Sequence, residues 1–266
     1  MTLRFVILGC GSSTGVPRVG GDWGQCNPAN PKNRRRRCSL LVERIKGASR
    51  TSVLIDTSPD LREQLLDAGV RALDGVLFTH DHADHTHGID DLRMLSYASR
   101  RRINVYADER TLSILRQRFD YCFETPAGSS YPPIVRPHEM LLTRPLQLSG
   151  EGGAIAFQAF RQFHGDIESL GFRIGGLAYS SDVHDLPEES LAHLHGLDVW
   201  IVDALRYVPH PSHFHLDRAL EWIERVKPKR AILTHLHIDL DYDALRAILP
   251  AHVEPAYDGM VIEVAG

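Results

Sequence analysis

The sequence predicts an α/β fold, α+β in the ordering of its elements, in which two mixed sheets pack face to face with helices outside. Three observations lead there. Short β-rich runs alternate with turn clusters and helical patterns from end to end. Strands come first in each half and mixed strands and helices follow. No low-complexity linker or short-period repeat interrupts the 266 residues. Half-buried strands and one-sided helices with that order have few ways to cover their apolar faces, and paired sheets flanked by helices is one. The length suffices for a substantial core, and 43% hydrophobic with 24% charged residues is ordinary globular usage. A single domain over residues 1–266 is expected.

The elements follow in order. Arg4 to Leu8, Ser39 to Ile45 and Ser52 to Ile55 read as strands, the last ending in Asp56-Thr57-Ser58-Pro59. Ser58 before Pro59 has the form of a helix start; Leu61, Leu65, Leu66 and Ala68 mark an apolar face, and Gly69 ends it. Val76-Leu77-Phe78 is a compact buried strand leading into His80. Further strands are predicted at Ile103 to Tyr106, Ile155 to Phe160, Gly171 to Ile174, Ala178 to Ser180, Val199 to Val202, Ala231 to Leu233 and Met260 to Val264. Helices are predicted at 109–119, 187–194, 215–226 and 241–248.

Composition narrows the function. A formal net charge of -4 argues against a protein that coats nucleic acid, while leaving room for a local basic patch. Met1 to Leu8 has no charged leader or cleavage site, and nothing has the length of a membrane span, about 20 apolar residues. The four scattered cysteines, Cys10, Cys26, Cys38 and Cys122, suit a reducing compartment. A cytoplasmic location without a membrane partner is therefore expected. The count that stands out is 15 histidines, since imidazole is the commonest transition-metal ligand.

Thr79-His80-Asp81-His82-Ala83-Asp84-His85 follows the buried strand directly and sets five acidic or imidazole side chains within residues 80–85. A set of N and O donors suits borderline-soft divalent metals better than Ca²⁺, which takes an all-oxygen shell. A loop at a strand's end also gives such ligands a rigid base. A solvated polar loop would not need that density of imidazole.

The pattern resembles the metallo-β-lactamase superfamily, which implies a four-layer αβ/βα sandwich. The superfamily's later motifs are a lone histidine, an aspartate and a final histidine, each beyond a strand. They match His164 in Phe163-His164-Gly165, Asp182 in Ser180-Ser181-Asp182 and His235 in Leu233-Thr234-His235. By that resemblance His80, His82 and His164 bind one divalent ion, Zn²⁺ or Mn²⁺, and Asp84, His85 and His235 bind another. Asp182 bridges the two, and a hydroxide between ions about 3.5–4 Å apart is the nucleophile, with Asp84 orienting it. Asp56 matches the first motif and is expected to orient a ligand imidazole rather than to bind metal. Asp203 is either a similar support or an ordinary strand-end residue.

The N-terminal stretch carries the resemblance further. Gly9-Cys10-Gly11-Ser12-Ser13-Thr14-Gly15-Val16-Pro17, then Cys26, Arg34 to Arg37 and Cys38-Ser39, make the chain similar from Leu3 to Val264 to the PhnP-like cyclic phosphodiesterases, relatives of tRNase Z. Glycines there would let backbone approach a ligand. In that family a histidine outside the metal set protonates the leaving alkoxide. Ser212-His213-Phe214-His215-Leu216-Asp217 offers His213 for that catalytic and substrate-binding role, with His215 as the competing choice. The best-known members also hold a structural zinc on a Cys-x-Cys-x-x-Cys run. Here the run reads Gly21-Asp22-Trp23-Gly24-Gln25-Cys26 and Ile238 stands near the place of the companion histidine, so no structural zinc is expected. Four consecutive arginines cannot all face one site, so most of Arg34 to Arg37 are expected to be solvated or paired with acids.

The resemblance implies hydrolysis of a small cyclic ribose-phosphate or nucleotide-like phosphodiester. The alternatives are a tRNA 3′-end endonuclease, a thioester or lactam hydrolase, and a non-catalytic metal-binding module. The stretch 121–145 carries only Arg136 and Arg144 as arginines, too few and too short for an arm that grips tRNA, so long nucleic acid is not the expected partner. A homodimer is left open.

Overall fold

The computed structural model describes residues 2–265. The chain lays down β1 (Thr2–Gly9), β2 (Ser39–Lys46), β3 (Ser49–Ile55), β4 (Gly75–Leu77), β5 (Ile103–Ala107) and β6 (Val135–Glu139) as one sheet. It then builds a second from β7 (Leu146–Gly150), β8 (Gly153–His164), β9 (Ile167–Ile174), β10 (Leu177–Ser180), β11 (Val199–Asp203), β12 (Arg230–Thr234) and β13 (Val253–Pro255). Finally β14 (Met260–Ala265) returns to pair with β1. The strand orders are β14-β1-β2-β3-β4-β5-β6 and β13-β12-β11-β10-β9-β8-β7. Each sheet is antiparallel at one end and parallel at the other, with the change at β3 in the first and β10 in the second.

Side-chain alternation along the strands makes the layers. Phe5 and Ile7 point between the sheets, where Leu40, Val42, Phe157, Phe172 and Ile201 meet them. Val6 and Leu8 point outward onto α1 (Leu61–Asp67) through Leu61 and Leu65, while α4 (Glu109–Arg118) adds Leu112 and Leu115 to the same layer. Between these helices lie the short α2 (Ala83–Thr86) and α3 (Arg93–Ser99), and α5 (Asp120–Phe123) follows α4. On the second sheet Trp200 and Val202 face outward to Trp222 and Ile223 of α6 (Leu216–Val226) and Leu245 of α7 (Tyr242–Ile248). The result is the expected four-layer αβ/βα sandwich.

The departures from expectation are local. Residues 187–194 form 3₁₀ turns over Glu188–Leu194 rather than an α-helix. Three unpredicted strands, β6, β7 and β13, lie at sheet edges. β6 contains Pro137, which reads as a strand breaker but is tolerated at an edge, where one side of the strand needs no ladder bonds. Gly9 lets the N-terminal loop pack closely on the chain itself. A Cβ on Gly9 would stand 2.0 Å from the Arg37 carbonyl, so this loop lies directly against the arginine run. It then hydrogen-bonds the segment after β12, Leu236 N–H to Cys10 O at 2.8 Å and Ser12 N–H to Leu236 O at 3.2 Å.

Candidate metal centre

The predicted ligands and their candidate supports Asp56 and Asp203 lie at the same ends of the strands. Asp56 follows β3, the histidine run follows β4, His164 ends β8, Asp182 lies just beyond β10, Asp203 ends β11 and His235 follows β12. Two of these turns are backbone-strained. Asp56 (φ 63°) and His235 (φ 59°) are two of four non-glycine residues with positive φ among those described. Such a conformation persists only where surrounding contacts enforce it, and it is common at working sites.

The side chains converge as two groups that share one carboxylate. His80, His82, His164 and Asp182 form the first; Asp84, His85, Asp182 and His235 form the second. In each, one donor atom per residue lies within 4.8 Å of the others. Oδ2 of Asp182 stands 3.8 Å from His80 Nε2, 3.7 Å from His164 Nε2 and 3.5 Å from His235 Nε2, while its Oδ1 is 3.0 Å from His85 Nε2. Asp84 Oδ2 lies 3.5 Å from His85 Nε2 and 3.6 Å from His235 Nε2. A third group, Asp203, His213 and His235, overlaps the second.

The donor atoms are left free while the rest of each side chain is fixed. His80 Nε2, His85 Nε2, His235 Nε2 and Asp182 Oδ1 are buried and make no hydrogen bond. Buried polar atoms without partners are rare, and four converging on one space fit a divalent cation. The opposite ring nitrogens of His80, His85 and His164 are engaged, while His235 Nδ1 also makes no hydrogen bond. His164 Nδ1 donates to the Ser212 carbonyl at 2.6 Å, leaving a lone pair on Nε2. His85 Nδ1 lies 2.7 Å from Asp56 Oδ2, and Asp56 also takes the N–H and hydroxyl of Thr79, each at 2.8 Å. Because the Thr79 hydroxyl spends its proton on Asp56, its oxygen is free to accept from His80 Nδ1 at 2.9 Å. One buried carboxylate thus orients His85 directly and His80 through Thr79, the arrangement that fixes the tautomer of ligating imidazoles.

Electrostatics separates the groups. Burial, reinforced by the charge of His85, pushes the His80 imidazole well below its ordinary range, and burial takes His164 down to about 4. Burial also opposes charge on His85 and His235, yet Asp182 and the carboxylates around them outweigh it, raising His85 strongly and His235 to about 9. Asp182 and Asp84 are held well below the carboxylate range by these imidazoles despite their own burial.

His213 stands beside the groups, with its ring centroid 4.6 Å from both His164 and His235. Its Nδ1 is 2.7 Å from Asp203 Oδ2, and its Nε2 faces Asp182 Oδ2 at 3.9 Å. Asp203, left open by the sequence, is the residue that aims it. Burial and the neighbouring charge of His235 push His213 down to about 3. His215 instead caps the entry to α6, its carbonyl accepting from Ala219 N–H. His184 meets the residues on either side of His164: its ring faces Phe163, and Nδ1 accepts from Gly165 N–H at 3.0 Å. Asp81, inside the motif, pairs with Arg110 at 3.1 Å.

The arginine run is structural at three of its four positions. Arg36 pairs with Asp67 and Asp258, and Arg37 with Asp60. Arg35 is buried and donates to the carbonyls of His237 and Leu240.

Residues 51–236 match the family described as a beta-lactamase superfamily domain, and the chain belongs to that superfamily. It has the metallo-β-lactamase fold, with clusters able to hold divalent metal, and is related to the PhnP/RNase Z branch. The crystal structure of a diphosphatase from the PhnP family is 36% identical, covers 99% of this chain and 98% of its own, and superposes with a TM-score of 0.88. An octanoyltransferase of Porphyromonas gingivalis (strain ATCC BAA-308 / W83) is 35% identical over 97% of this chain and 51% of its own length. A ribonuclease Z of Bradyrhizobium sp. (strain ORS 278) is 30% identical over 61% of this chain and 50% of its own. The chain therefore spans about half the length of the curated relatives it matches. The short-form human tRNase Z shares the fold at 19% identity and a TM-score of 0.66, with 97% of this chain and 98% of its own covered.

One expectation is corrected here. The sequence marks the PhnP-like branch here by the absence of the structural zinc site; what marks the structure is His/Asp clusters able to hold metal ions, and the PhnP-family structure it matches is that of a diphosphatase. No helix of the described residues is long and apolar enough to cross a membrane.

Proposed function

We propose that this chain is a binuclear-metal phosphodiesterase acting on small cyclic ribose-phosphate or nucleotide-like phosphodiesters. The observation that carries the reading is the pair of donor groups sharing Asp182, with an aspartate-held histidine beside them that belongs to neither pair-specific set. His80, His82 and His164 would hold one Zn²⁺ or Mn²⁺, Asp84, His85 and His235 the other, and Asp182 both. When bound, such ions supply Lewis acidity toward phosphoryl oxygens and a nucleophilic water at neutral pH.

The chain's own residues do the rest. Asp56 and Thr79 hold ligand rings in one tautomer, and Asp84 orients the attacking water. Asp203 aims His213 Nε2 at the reacting centre. In the free protein that nitrogen is an acceptor at neutral pH, so its proton must be held by the negative charge of the bound diester. It then passes to the departing oxygen. The metal-loaded protein should hydrolyse bis(p-nitrophenyl) phosphate and at least one cyclic nucleotide, and chelation should abolish both activities. Failure on every diester in a panel, with both ions bound, would sink the reading.

A second reading has one observation in its favour, the likeness to an octanoyltransferase over nearly the whole chain. Acyl-ester or thioester hydrolysis needs the same metals, but a thiolate leaves without a proton. An octanoyl thioester turned over with no dependence on His213 would favour it.

A further inference from the structure

Immediately outside His82 lies a cavity of about 420 Å³ lined by His82, Ala83, His87, Arg118 and Phe119. It joins the ligand loop to the end of α4, and two arginines of that helix fasten them together. Arg110 pairs with the Asp81 carboxylate, and Arg118 donates to the Asp81 carbonyl. The two differ in what remains unspent. Arg110 is neutralised, whereas no carboxylate of the described residues pairs with Arg118, whose other N–H groups stay available at the cavity. Phe119, half-buried against the helix-side core, keeps part of its ring toward the cavity and meets His87 edge-on, with centroids 5.4 Å apart. The lining has no acid. It offers a cation, an aromatic ring and two imidazoles, one of them His82 of the first donor group.

The cavity's position decides which part of a substrate could enter it. His164 lies between His82 and His213, its ring 5.0 Å from the first and 4.6 Å from the second. A diester whose departing oxygen is at His213 would therefore direct its other arm toward His82. We infer that this cavity is a specificity subsite for the retained arm of the substrate, a nucleoside-type group whose base lies against Phe119 while Arg118 binds the sugar and phosphate oxygens of that arm. The inference rests on the phosphodiesterase reading above. Stacking of a base on an aromatic side chain tolerates any base, and its usual strength corresponds to roughly a tenfold to hundredfold gain in binding.

Two substrates with the same leaving group isolate the arm: thymidine 5′-(p-nitrophenyl phosphate) and methyl p-nitrophenyl phosphate. The metal-loaded protein should prefer the first by roughly tenfold to a hundredfold in kcat/KM. Phe119→Leu, which keeps the apolar volume and removes the ring face, should bring the ratio close to one. Arg118→Gln should lower it several-fold. Both variants should keep wild-type metal content, which checks that the ligand loop is intact. Equal kcat/KM for the two substrates in the wild type would overturn the subsite, and so would a Phe119→Leu variant that slows both by the same factor. Hydrolysis of neither by the metal-loaded wild type would instead bring down the phosphodiesterase reading, and this inference with it.

Discussion

His80, His82 and His164 are three imidazoles that reach one carboxylate, that of Asp182, whereas His85 and His235 sit among Asp56, Asp84, Asp182 and Asp203. The same residue type therefore meets opposite conditions a few ångströms apart. In the first group burial outweighs attraction, and His80 and His164 are driven toward the neutral, ligating form. In the second, attraction outweighs burial, and His85 and His235 are shifted toward the protonated form. Two sites with four donors each are thus prepared differently: imidazoles of one are biased toward the neutral form that binds a cation, and those of the other toward the protonated form that opposes one.

The largest effect should come from the residue common to both. Asp182→Ala removes the shared carboxylate and should empty both positions, with metal-dependent turnover falling about a thousandfold or more, since several kcal/mol of charge stabilisation goes with the ions. His164→Ala should leave the second group filled and reduce metal content by about one ion. Elemental analysis of both variants tests the contrast. An Asp182→Ala protein with two ions and near-normal turnover would show that the groups are not joined through it.

His213 comes next, because it touches both groups and belongs to the ligand set of neither. His213→Ala should leave metal content unchanged and cost about 10²–10⁴-fold on an alkyl diester, the usual range for a proton donor. A p-nitrophenyl diester, whose leaving group departs as the anion, should lose far less. Equal losses on the two would assign His213 to ground-state binding of the phosphate, and loss of metal would remove it from catalysis altogether.

How much of this could be read from the chain depends on how local each feature is. The run His80 to His85 is compact and unmistakable. His164, Asp182 and His235 are single residues after strands, meaningful only through a family resemblance. The support to His164 is a main-chain carbonyl, that of Ser212, and a carbonyl leaves no trace in a sequence. Thr79 stood in plain sight within the motif, but its role depends on where the strained turn at Asp56 puts a carboxylate. Asp203 resembled any strand-end aspartate until the fold brought it to His213. The arginines were ambiguous for the same reason, their partners Asp60, Asp67 and Asp258 lying 23 to 222 residues away. Layer order came through because apolar alternation is local; three of the four edge strands, β6, β7 and β13, did not, because an edge needs little of it.

The asymmetry also sets the rank of two supporting residues. Asp56→Asn keeps an acceptor but loses the charge that His85 contacts directly, and should weaken the second ion by about 10–100-fold, the usual effect of removing a partner of a ligating histidine. Thr79→Val breaks only the relay from His80 to Asp56 and should weaken the first ion by less, about tenfold at most. Competition with a chromophoric chelator measures both. If Asp56→Asn affected the two ions equally, the direct and relayed contacts would carry the same weight and the ranking would fail.

The smallest effect is a slope, and its sign follows from the charges. In the metal-free protein His235 titrates at about 9, above its ordinary 6.5. Its proton therefore contributes stability that is full below about pH 6.5 and disappears as pH rises through about 9. An ion entering the second group must release that proton. Its apparent affinity should then rise between pH 6 and 8, by about tenfold per pH unit for each proton displaced. The first group behaves otherwise, because His164 at about 4 is already neutral across that range, and its affinity should change little there. Calorimetric titration of the metal-free protein in two buffers of different ionisation enthalpy counts the protons released at each step. Binding of the first ion should release few and binding of the second more, and equal counts at both steps would mean that the two groups are electrostatically alike after all.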